Sequence, residues 1–346
     1  MTENNFAALT LADAARILRN ASRVLLFIHQ NPDGDAVGSG FALAQILRAA
    51  GKTVRLVCGD EIPRRLRFLM RGQEECAYTE GMEADYDLLC SVDTAAPVQL
   101  GDLEHMAEKI TLAIDHHGMN TPYCDNCTVP TASAAGELIY DLYKMFCEDE
   151  TIRPDGDICR LLYAAVVSDT GSFKFSNTTR GTLLRAADMV GEIAACTDGG
   201  DDTAMICHRL FECRTMTELY AQRAGIDALR LAHDGELGIV LFTKAMLEEA
   251  GLTYEDIGNV VSLPRTVDGV KIALSVKQSE DEPTVWRVSS RASCDVDVSA
   301  VCASFGGGGH KRAAGCTVTA PDADTAFAIV AEAFGRALDE AEERHG

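Results

Sequence analysis

Continuous apolar runs alternate with amphipathic stretches through the first half of the chain. The run RVLLFIH, 23–29, is apolar on both faces, which is typical of a buried parallel strand. The stretch AVGSGFALAQILRAAG, 36–51, has the apolar spacing of a helix and ends at a glycine, which favours a helix C-terminus. Further strands are predicted at KTVRLVC, YDLLCSVD and KITLAIDHH, with a helix near PRRLRFLM. Helices alternating with apolar strands predict an α/β fold with a parallel sheet flanked by helices.

The pattern changes in the second half of the chain. Helical spacing dominates from residue 133 to about 199 and continues to about 232, interrupted by the break-like run DGGDD at 198–202. The strand-like stretches ELGIVLFT, GVKIALSVKQ and TVWRVSSRAS follow, then a glycine-rich loop and a closing helix. We therefore predict an N-terminal domain at 1–198, a helical linker at 199–232, and a smaller C-terminal α/β domain with a mixed sheet at 233–346.

Composition limits the class of protein. Hydrophobic residues make up 47% of the 346 positions, enough for two ordinary cores. No uninterrupted apolar segment of about 18 residues occurs, and the first ten residues do not look like a secretion signal, so we expect a cytoplasmic protein that does not enter a membrane. The formal net charge of −22 argues against binding long nucleic acid, because affinity for a polyanion comes largely from Lys and Arg. A nucleic-acid substrate should therefore be short.

Thirteen cysteines are scattered through ordinary helix and strand patterns. In a chain long enough to fold without disulfides, they are predicted to be reduced thiols of the core. Cys124 and Cys127 have CxxC spacing, but no second pair stands at a spacing suited to structural zinc. Packing thiols are therefore favoured over a zinc site.

Acidic and histidine side chains follow three predicted strands and end one predicted helix. They are His29, Asp33, Asp35, Asp93, Asp115, His116, His117 and Asp169. Each alone has a structural explanation as a turn, a cap or a solvated helix end. Together, carboxylates that meet at one edge of a parallel sheet repel each other unless they are protonated or neutralised by cations. Imidazole with several carboxylates suits Mn²⁺, Fe²⁺, Co²⁺ or Zn²⁺, and about six ligands suit two ions that share a bridging carboxylate.

The four segments HQNPDGDAVGS, SVDTA, IDHHG and VVSDTGSF, in this order, resemble the metal-binding motifs of the DHH phosphoesterase family. SSRAS and FGGGGHKRAAG look like the family's C-terminal DHH-associated domain, so the likeness covers nearly the whole chain. In length and domain succession the chain is most similar to the NrnA-like branch, which combines nano-RNase and 3′-phosphoadenosine 5′-phosphate (pAp) phosphatase activity.

The resemblance implies two divalent cations, Mn²⁺ in first place with Mg²⁺ and Co²⁺ as alternatives. The ligands of the first ion would be His29, Asp33 and Asp93. Those of the second would be Asp35, Asp93, His116 and Asp169, with Asp93 bridging. Asp115 would orient a ligand, and His117 would face the substrate phosphate.

A glycine run in the C-terminal domain is a candidate phosphate-binding loop. Its backbone N–H groups are not obstructed by side chains, and a nearby arginine can bind phosphate with two hydrogen bonds. The resemblance also implies that this loop and arginine contact the terminal phosphate or nucleotide of the substrate. The residues are Arg291, Gly306, Gly307, Gly308, Gly309 and His310.

Asn177 and Arg180, in SNTTR, are further candidates on the phosphate side, with helix capping and surface charge as their structural alternatives. With metals in one domain and substrate-binding residues in the other, the active site is expected in the interdomain cleft.

The candidate metal ligands predict a hydrolase, and the resemblance implies that it has two activities. As an oligoribonuclease it would release 5′-mononucleotides from short RNA and dinucleotides such as pApA and pGpG, and as a bisphosphate nucleotidase it would dephosphorylate pAp. Two cations would lower the pKa of a shared water, and the hydroxide would attack phosphorus in line. A phosphodiesterase for cyclic dinucleotides such as c-di-AMP, and a non-catalytic nucleotide-binding regulator, are the alternatives. The expected partners are short single-stranded RNA and small nucleotides, without long duplexes or a membrane, and the oligomeric state is left open between monomer and homodimer.

Overall fold

The computed structural model describes residues 6–196 and 202–343. The chain divides into two compact units, Met1–Cys213 and Arg214–Gly346. The predicted boundary at residue 198, and the first four residues of the DGGDD break, fall outside the described residues. No helix in the described ranges is both long and apolar enough to cross a bilayer.

The first unit is a five-stranded sheet with helices packed against it. Its strands are β1 (Arg23–Ile28), β2 (Thr53–Cys58), β3 (Leu88–Val92), β4 (Leu112–Asp115) and β5 (Asp125–Thr128). Its helices are α1 (Leu11–Asn20), α2 (Gly34–Ala49), α3 (Ala135–Glu148), α4 (Gly156–Asp169), α5 (Arg180–Cys196) and α6 (Asp202–Cys207), followed by a π-helical turn at His208–Glu212. All strand pairs are parallel, in the order β2-β1-β3-β4-β5, which confirms the predicted parallel α/β sheet. The chain adds β2 on one side of β1 and the later strands on the other side, so the direction in which strands are added changes between β1 and β3. In parallel sheets, ligands bind beside the carboxyl ends of the strands at this point.

Helices α2 and α4 pack unusually closely because glycines line their contact. A Cβ atom placed on Gly38 of α2 would lie 2.5 Å from the carbonyl oxygen of Leu161 and 2.9 Å from Cβ of Ala165, both in α4. A Cβ on Gly34 would lie 2.4 Å from Oγ of Ser168. The N-terminus of α2 and the C-terminus of α4 therefore lie side by side, at the carboxyl edge of the sheet.

Two local predictions for this unit are wrong. The helix expected near PRRLRFLM is a 3₁₀ turn at Arg67–Leu69, because Arg71 and Gly72, which follow directly, have left-handed backbones that end any helix there. Strand β5 was not predicted, because its sequence DNCT has one buried position and the other three are half-buried.

Cys124 precedes β5 and Cys127 lies within it, and the two cysteines belong to different cores. Cys124 is buried in the cluster that contains Phe27, and Cys127 is buried in the cluster that contains Phe41. Each thiol packs against its own apolar neighbours.

The second unit is a six-stranded sheet with helices on both faces. Its strands are β6 (Leu229–Ala232), β7 (Leu237–Phe242), β8 (Ile272–Gln278), β9 (Val285–Ala292), β10 (Gly308–His310) and β11 (Ala313–Thr319). Its helices are α7 (Met216–Asp227), α8 (Lys244–Ala250), α9 (Val298–Ser304) and α10 (Ala323–Glu343). The order is β10-β11-β9-β8-β7-β6; β7 and β8 are parallel and the other pairs antiparallel, which confirms a mixed sheet.

The predicted glycine-rich loop is partly a strand. Gly308 and Gly309 belong to β10, which pairs with β11, whereas Gly306 precedes the strand with a φ of +72°. The segment 199–232, predicted as a helical linker, contains α6, α7 and the edge strand β6. The half-exposed sequence LRLA of β6 carries a weak strand signal.

Candidate metal centre

The acidic and histidine side chains predicted at strand and helix ends lie together in the first unit. Three overlapping groups have ligand atoms that all lie within 4.8 Å of one another. The groups are His29, Asp33 and Asp93; Asp35, His116 and Asp169; and Asp93, His116 and His117. They stand at the carboxyl ends of β1, β3 and β4, at the start of α2 and at the end of α4.

The first group is built on the turn between β1 and α2. Nε2 of His29 lies 3.8 Å from Oδ1 of Asp33 and 3.6 Å from Oδ2 of Asp93. Nδ1 of His29 lies 2.7 Å from the carbonyl oxygen of Gln30, which can only accept a hydrogen bond, so Nδ1 carries a proton. Nε2 is therefore the ring nitrogen that can bind a metal. Asp33 caps α2, with Oδ1 accepting from the N–H groups of Asp35 and Ala36.

The second group surrounds His116, just after β4. Its Nε2 lies 3.6 Å from Oδ2 of Asp35, 3.5 Å from Oδ1 of Asp93 and 3.3 Å from Oδ2 of Asp169. Nδ1 of His116 donates to the carbonyl oxygen of Ala132 at 3.3 Å. As in His29, the backbone therefore selects the tautomer that points the Nε2 lone pair at carboxylates.

Asp93 is shared by the two groups. Its Oδ2 faces His29 and its Oδ1 faces His116, so the two oxygens of one carboxylate point to different clusters. The side chain is buried, and its backbone is left-handed with a φ of +57°, which is uncommon outside glycine. The carboxylate of Asp93 therefore faces both ligand groups at once.

Asp35 is fully buried and is held by the start of a helix from elsewhere in the chain. Its two oxygens accept from the N–H groups of Ala135, at 2.6 Å, and Gly136, at 2.9 Å, in the first turn of α3. A Cβ on Gly136 would lie 2.6 Å from Cβ of Ala165. The sequence did not predict that α3 binds the carboxylate of Asp35. The one feature that could have indicated it is Gly136, a glycine at the start of a predicted helix.

Asp115 orients His117. Nδ1 of His117 donates to Oδ1 of Asp115 at 2.7 Å, and this hydrogen bond is the main reason why the pKa of His117 is raised. Asp115 is buried, whereas the His117 side chain is 38% exposed. The imidazole therefore keeps a proton on Nδ1 and has Nε2 available to another molecule.

The electrostatics of the cluster indicate a missing positive charge. Burial raises the pKa of Asp35, and the carboxylates of Asp93 and Asp169 raise it further. Burial alone would lower the pKa of His29, but the nearby carboxylates of Asp33 and Asp93 raise it to about 9. Burial would likewise lower the pKa of His116, and its carboxylate neighbours raise it instead. Protons are thus retained where carboxylates crowd together.

The residues present fit divalent metal cations. Nε2 of His116 and Oδ1 of Asp93 are buried without a hydrogen-bond partner among the described residues. Buried polar atoms are rarely left unpaired, and a cation would satisfy both. Carboxylate oxygens with imidazole nitrogens form a donor set suited to first-row divalent metals.

Of the two predicted substrate-side residues of the first unit, Asn177 contacts this centre. The amide of Asn177 donates to the carbonyl oxygens of Ser133, at 3.2 Å, and of Asp169, at 3.1 Å. It therefore holds the backbone of a candidate metal ligand. Arg180 is the exposed first residue of α5.

In the second unit, the predicted substrate-binding residues of β9 and β10 lie on one face of the sheet. Arg291 stands opposite Ala313 of β11, and Ala313 stands opposite His310 of β10, so Arg291 and His310 flank the same alanine. Arg291 is half-buried, and its guanidinium donates to the carbonyl oxygen of Ser290.

Comparison with known proteins agrees with this arrangement. Residues 23–166 match the family described as "DHH family, N-terminal domain", and residues 238–343 match the "DHHA1 domain". The chain is 30% identical over 92% of its length to the "Bifunctional oligoribonuclease and PAP phosphatase NrnA" of Thermus thermophilus, covering 91% of that protein. It is 26% identical over 85% of its length to the protein of the same name from Bacillus subtilis, covering 89% of it. Among solved structures, an exopolyphosphatase-related protein from Bacteroides fragilis has the same fold, with a TM-score of 0.79, 19% identity and 95% of both chains covered.

Proposed function

The chain belongs to the DHH family, and we propose that it is a phosphoesterase that releases 5′-mononucleotides from short RNA and dephosphorylates pAp. The observation that carries the proposal is the pair of ligand groups that share the carboxylate of Asp93. Relatives named as oligoribonuclease and PAP phosphatase, matched over most of their length, support the choice of substrates.

Two divalent cations would be held by this centre, Mn²⁺ in first place. The first would be held by His29, Asp33 and Asp93, and the second by Asp35, Asp93, His116 and Asp169. When bound, such cations act as Lewis acids towards phosphoryl oxygens and lower the pKa of water.

The residues of the chain supply orientation and proton placement. The N–H groups at the start of α3 fix the carboxylate of Asp35, so that it faces His116 without reorganisation. Asp115 keeps the Nδ1 proton on His117, whose side chain is partly exposed, so Nε2 would be available for a phosphate oxygen of the substrate. Asn177 would act by holding Asp169, and Arg180 by adding positive charge at the exposed start of α5.

The second unit would bind the part of the substrate that is not cleaved. Arg291 and His310 flank Ala313 on one sheet face, and Gly306 to Gly309 lead into that face. Backbone N–H groups free of side chains, together with a guanidinium, favour a terminal phosphate. The net charge of −22 limits binding of long nucleic acid, so short single-stranded RNA is the preferred polymer.

A substrate panel tests the proposal. Initial rates in Mn²⁺ should be highest on pApA, pGpG and RNA of a few nucleotides, with measurable hydrolysis of pAp. Asp93→Asn should abolish all of these activities while circular dichroism shows an unchanged fold. Equal or faster cleavage of a cyclic dinucleotide would redirect the proposal to that substrate, and no hydrolysis of any phosphoester would refute the enzymatic function.

A further inference from the structure

A cavity of about 220 Å³ lies in the first unit, at the far ends of the two helices that carry candidate metal ligands. Its lining includes Arg48 at the end of α2 and Asp157 at the start of α4, with residues of the 3₁₀ turn at Arg67–Leu69 and of α6. Asp35 and Asp169 stand at the opposite ends of α2 and α4. At a rise of ~1.5 Å per residue, Arg48 lies about 20 Å from Asp35 along α2, so the cavity is separate from the metal centre.

Three arginines line the cavity, and one carboxylate lies beside two of them. The guanidinium of Arg71 forms an ion pair with Oδ1 of Asp157, and Nη1 of Arg160 lies 3.9 Å from the same oxygen. Arg71 also has a left-handed backbone, with a φ of +45°, a strain that is uncommon outside glycine and is found at ligand-binding sites. Because a guanidinium has several N–H donors, Arg71 can hold Asp157 and still bind a second anion.

Arg48 is the third arginine, and neutral groups hold it in place. Nη1 of Arg48 donates to Oε1 of Gln73 at 2.9 Å, and Nη2 donates to the carbonyl oxygen of Val54 at 3.0 Å. Among the described side chains, no carboxylate forms an ion pair with Arg48, and partial burial lowers its pKa. In a chain with 53 acidic and 31 basic residues, a guanidinium that lines a cavity without a carboxylate partner indicates an anion from outside the chain.

The remaining lining residues supply two amides and an apolar surface. Nε2 of Gln73 lies 3.4 Å from Oε1 of Gln45, so both amides and Arg48 form one hydrogen-bonded series. A largely apolar surface with a few polar groups is typical of a pocket for an organic ligand, and a free inorganic ion would leave that surface unused. The apolar residues are Phe68, Leu69, Leu161, Met205 and Ile206.

This lining has the groups with which proteins bind nucleotides. Guanidinium groups bind phosphate, amides bind the edge of a base, and a phenyl ring contacts its face. The volume of about 220 Å³ is below the ~300–1,000 Å³ of pockets that enclose drug-sized molecules, so the cavity has room for one nucleotide at most. We propose that the cavity binds a nucleoside 5′-monophosphate, with its phosphate on Arg48 and Arg71.

Leu161 connects the cavity to the metal centre. It lines the cavity, and its carbonyl oxygen is the atom that a Cβ on Gly38 would approach to 2.5 Å. Helices α2 and α4 are thus in direct contact between the cavity and the candidate ligands Asp35 and Asp169. Because closely packed helices transmit a displacement along their length, a nucleotide bound at one end should change metal affinity at the other. Under the proposed function this ligand is the reaction product, so the regulatory role rests on that function, whereas the binding site does not.

Binding in a background that lacks the other candidate phosphate contact tests the cavity. Arg291→Gln removes the guanidinium expected to bind phosphate in the second unit. In this background, the affinities of AMP, ribose 5-phosphate, inorganic phosphate and adenosine are measured calorimetrically in EDTA, and AMP should bind most tightly. Adding Arg48→Gln should weaken AMP binding about tenfold, the scale of a lost charged hydrogen bond. Met205→Trp, which fills the cavity, should abolish AMP binding while circular dichroism shows an unchanged fold.

A control separates this contact from a general loss of charge. Arg16→Gln, on the exposed side of α1 beside Asp13, should leave the affinity for AMP unchanged. Equal AMP affinity with and without Arg48→Gln would overturn the site. Inorganic phosphate that binds as tightly as AMP would overturn the nucleotide as its ligand.

A second titration tests the coupling to the metal centre. Saturating AMP should change the affinity for Mn²⁺ at least about fivefold, Mn²⁺ should change the affinity for AMP by the same factor, and Met205→Trp should remove both effects. An unchanged Mn²⁺ affinity, or the same change in Met205→Trp, would overturn the regulatory role. If AMP binds in an Arg48-dependent way but the protein cleaves no phosphoester, the site stands and the proposed function fails.

Discussion

Nε2 of His116 lies 3.3 Å from Oδ2 of Asp169, although one residue follows a strand and the other ends a helix 53 positions later. Backbone contacts hold both residues in place. The carbonyl of Ala132 accepts from Nδ1 of His116, and the amide of Asn177 donates to the carbonyl of Asp169. The centre is thus set by groups that are not themselves candidate ligands.

Replacing Asn177 tests this outer support. Asn177→Ala removes the amide that holds Asp169 and should weaken Mn²⁺ binding by about 10- to 100-fold, the usual effect of losing an orienting partner. Calorimetric titration with Mn²⁺ measures this. Asn20→Ala, at the exposed end of α1, is the matched control and should bind like wild type. Unchanged Mn²⁺ affinity in Asn177→Ala would show that Asp169 does not need this hydrogen bond.

The shared position of Asp93 predicts different metal contents for two similar variants. Asp93→Asn takes a charge from both ligand groups and should leave fewer than one ion bound, whereas Asp33→Asn affects one group and should retain about one. Elemental analysis after gel filtration in Mn²⁺ gives the stoichiometry. Asp281→Asn, in the exposed turn after β8, should keep the wild-type content. Equal metal content in Asp93→Asn and Asp33→Asn would contradict the bridging role.

Metal affinity should rise with pH. Because the pKa of His29 is about 9 in the metal-free protein, its ring is protonated at neutral pH, and a cation must displace that proton to bind. Affinity should therefore increase up to about pH 9, with about one proton released from His29 per chain and more from His116, whose pKa is also raised. Titrations in buffers of different ionisation enthalpy count these protons. Binding that releases no protons at neutral pH would mean that the metal does not displace protons from these imidazoles.

The close packing of α2 against α4 predicts opposite effects of two glycine substitutions. Gly38→Ala puts a methyl group 2.5 Å from the carbonyl oxygen of Leu161, which should force the helices apart, lower the free energy of unfolding by about 1 to 3 kcal/mol and weaken metal binding. Gly191→Ala, in α5 with nothing within 4 Å of the new atom, should stabilise the protein by up to about 1 kcal/mol. Thermal and denaturant unfolding measure both. A Gly38→Ala protein as stable as wild type would show that the two helices can separate at little cost.

Most of the candidate centre could be predicted because its residues follow strands, and strand ends of a parallel sheet meet at one edge. The pattern of apolar and polar positions could not show that the start of α3 binds Asp35, since that contact joins positions 100 apart in sequence. The same pattern could not distinguish a strand from a loop in GGGGH. This segment is a strand because β10 pairs with β11, and not because its residues prefer strands.

The left-handed backbone of Asp93 leaves this position without a conservative substitute. Asparagine and glycine tolerate the conformation but carry no negative charge, whereas glutamate keeps the charge but lacks the short side chain that makes the left-handed region accessible to aspartate. A complete set of substitutions at position 93 would therefore divide into variants that fold well and do not hold metal, and variants that lose folding stability. The junction after β3 is therefore fixed both by its backbone conformation and by the charge that it must carry.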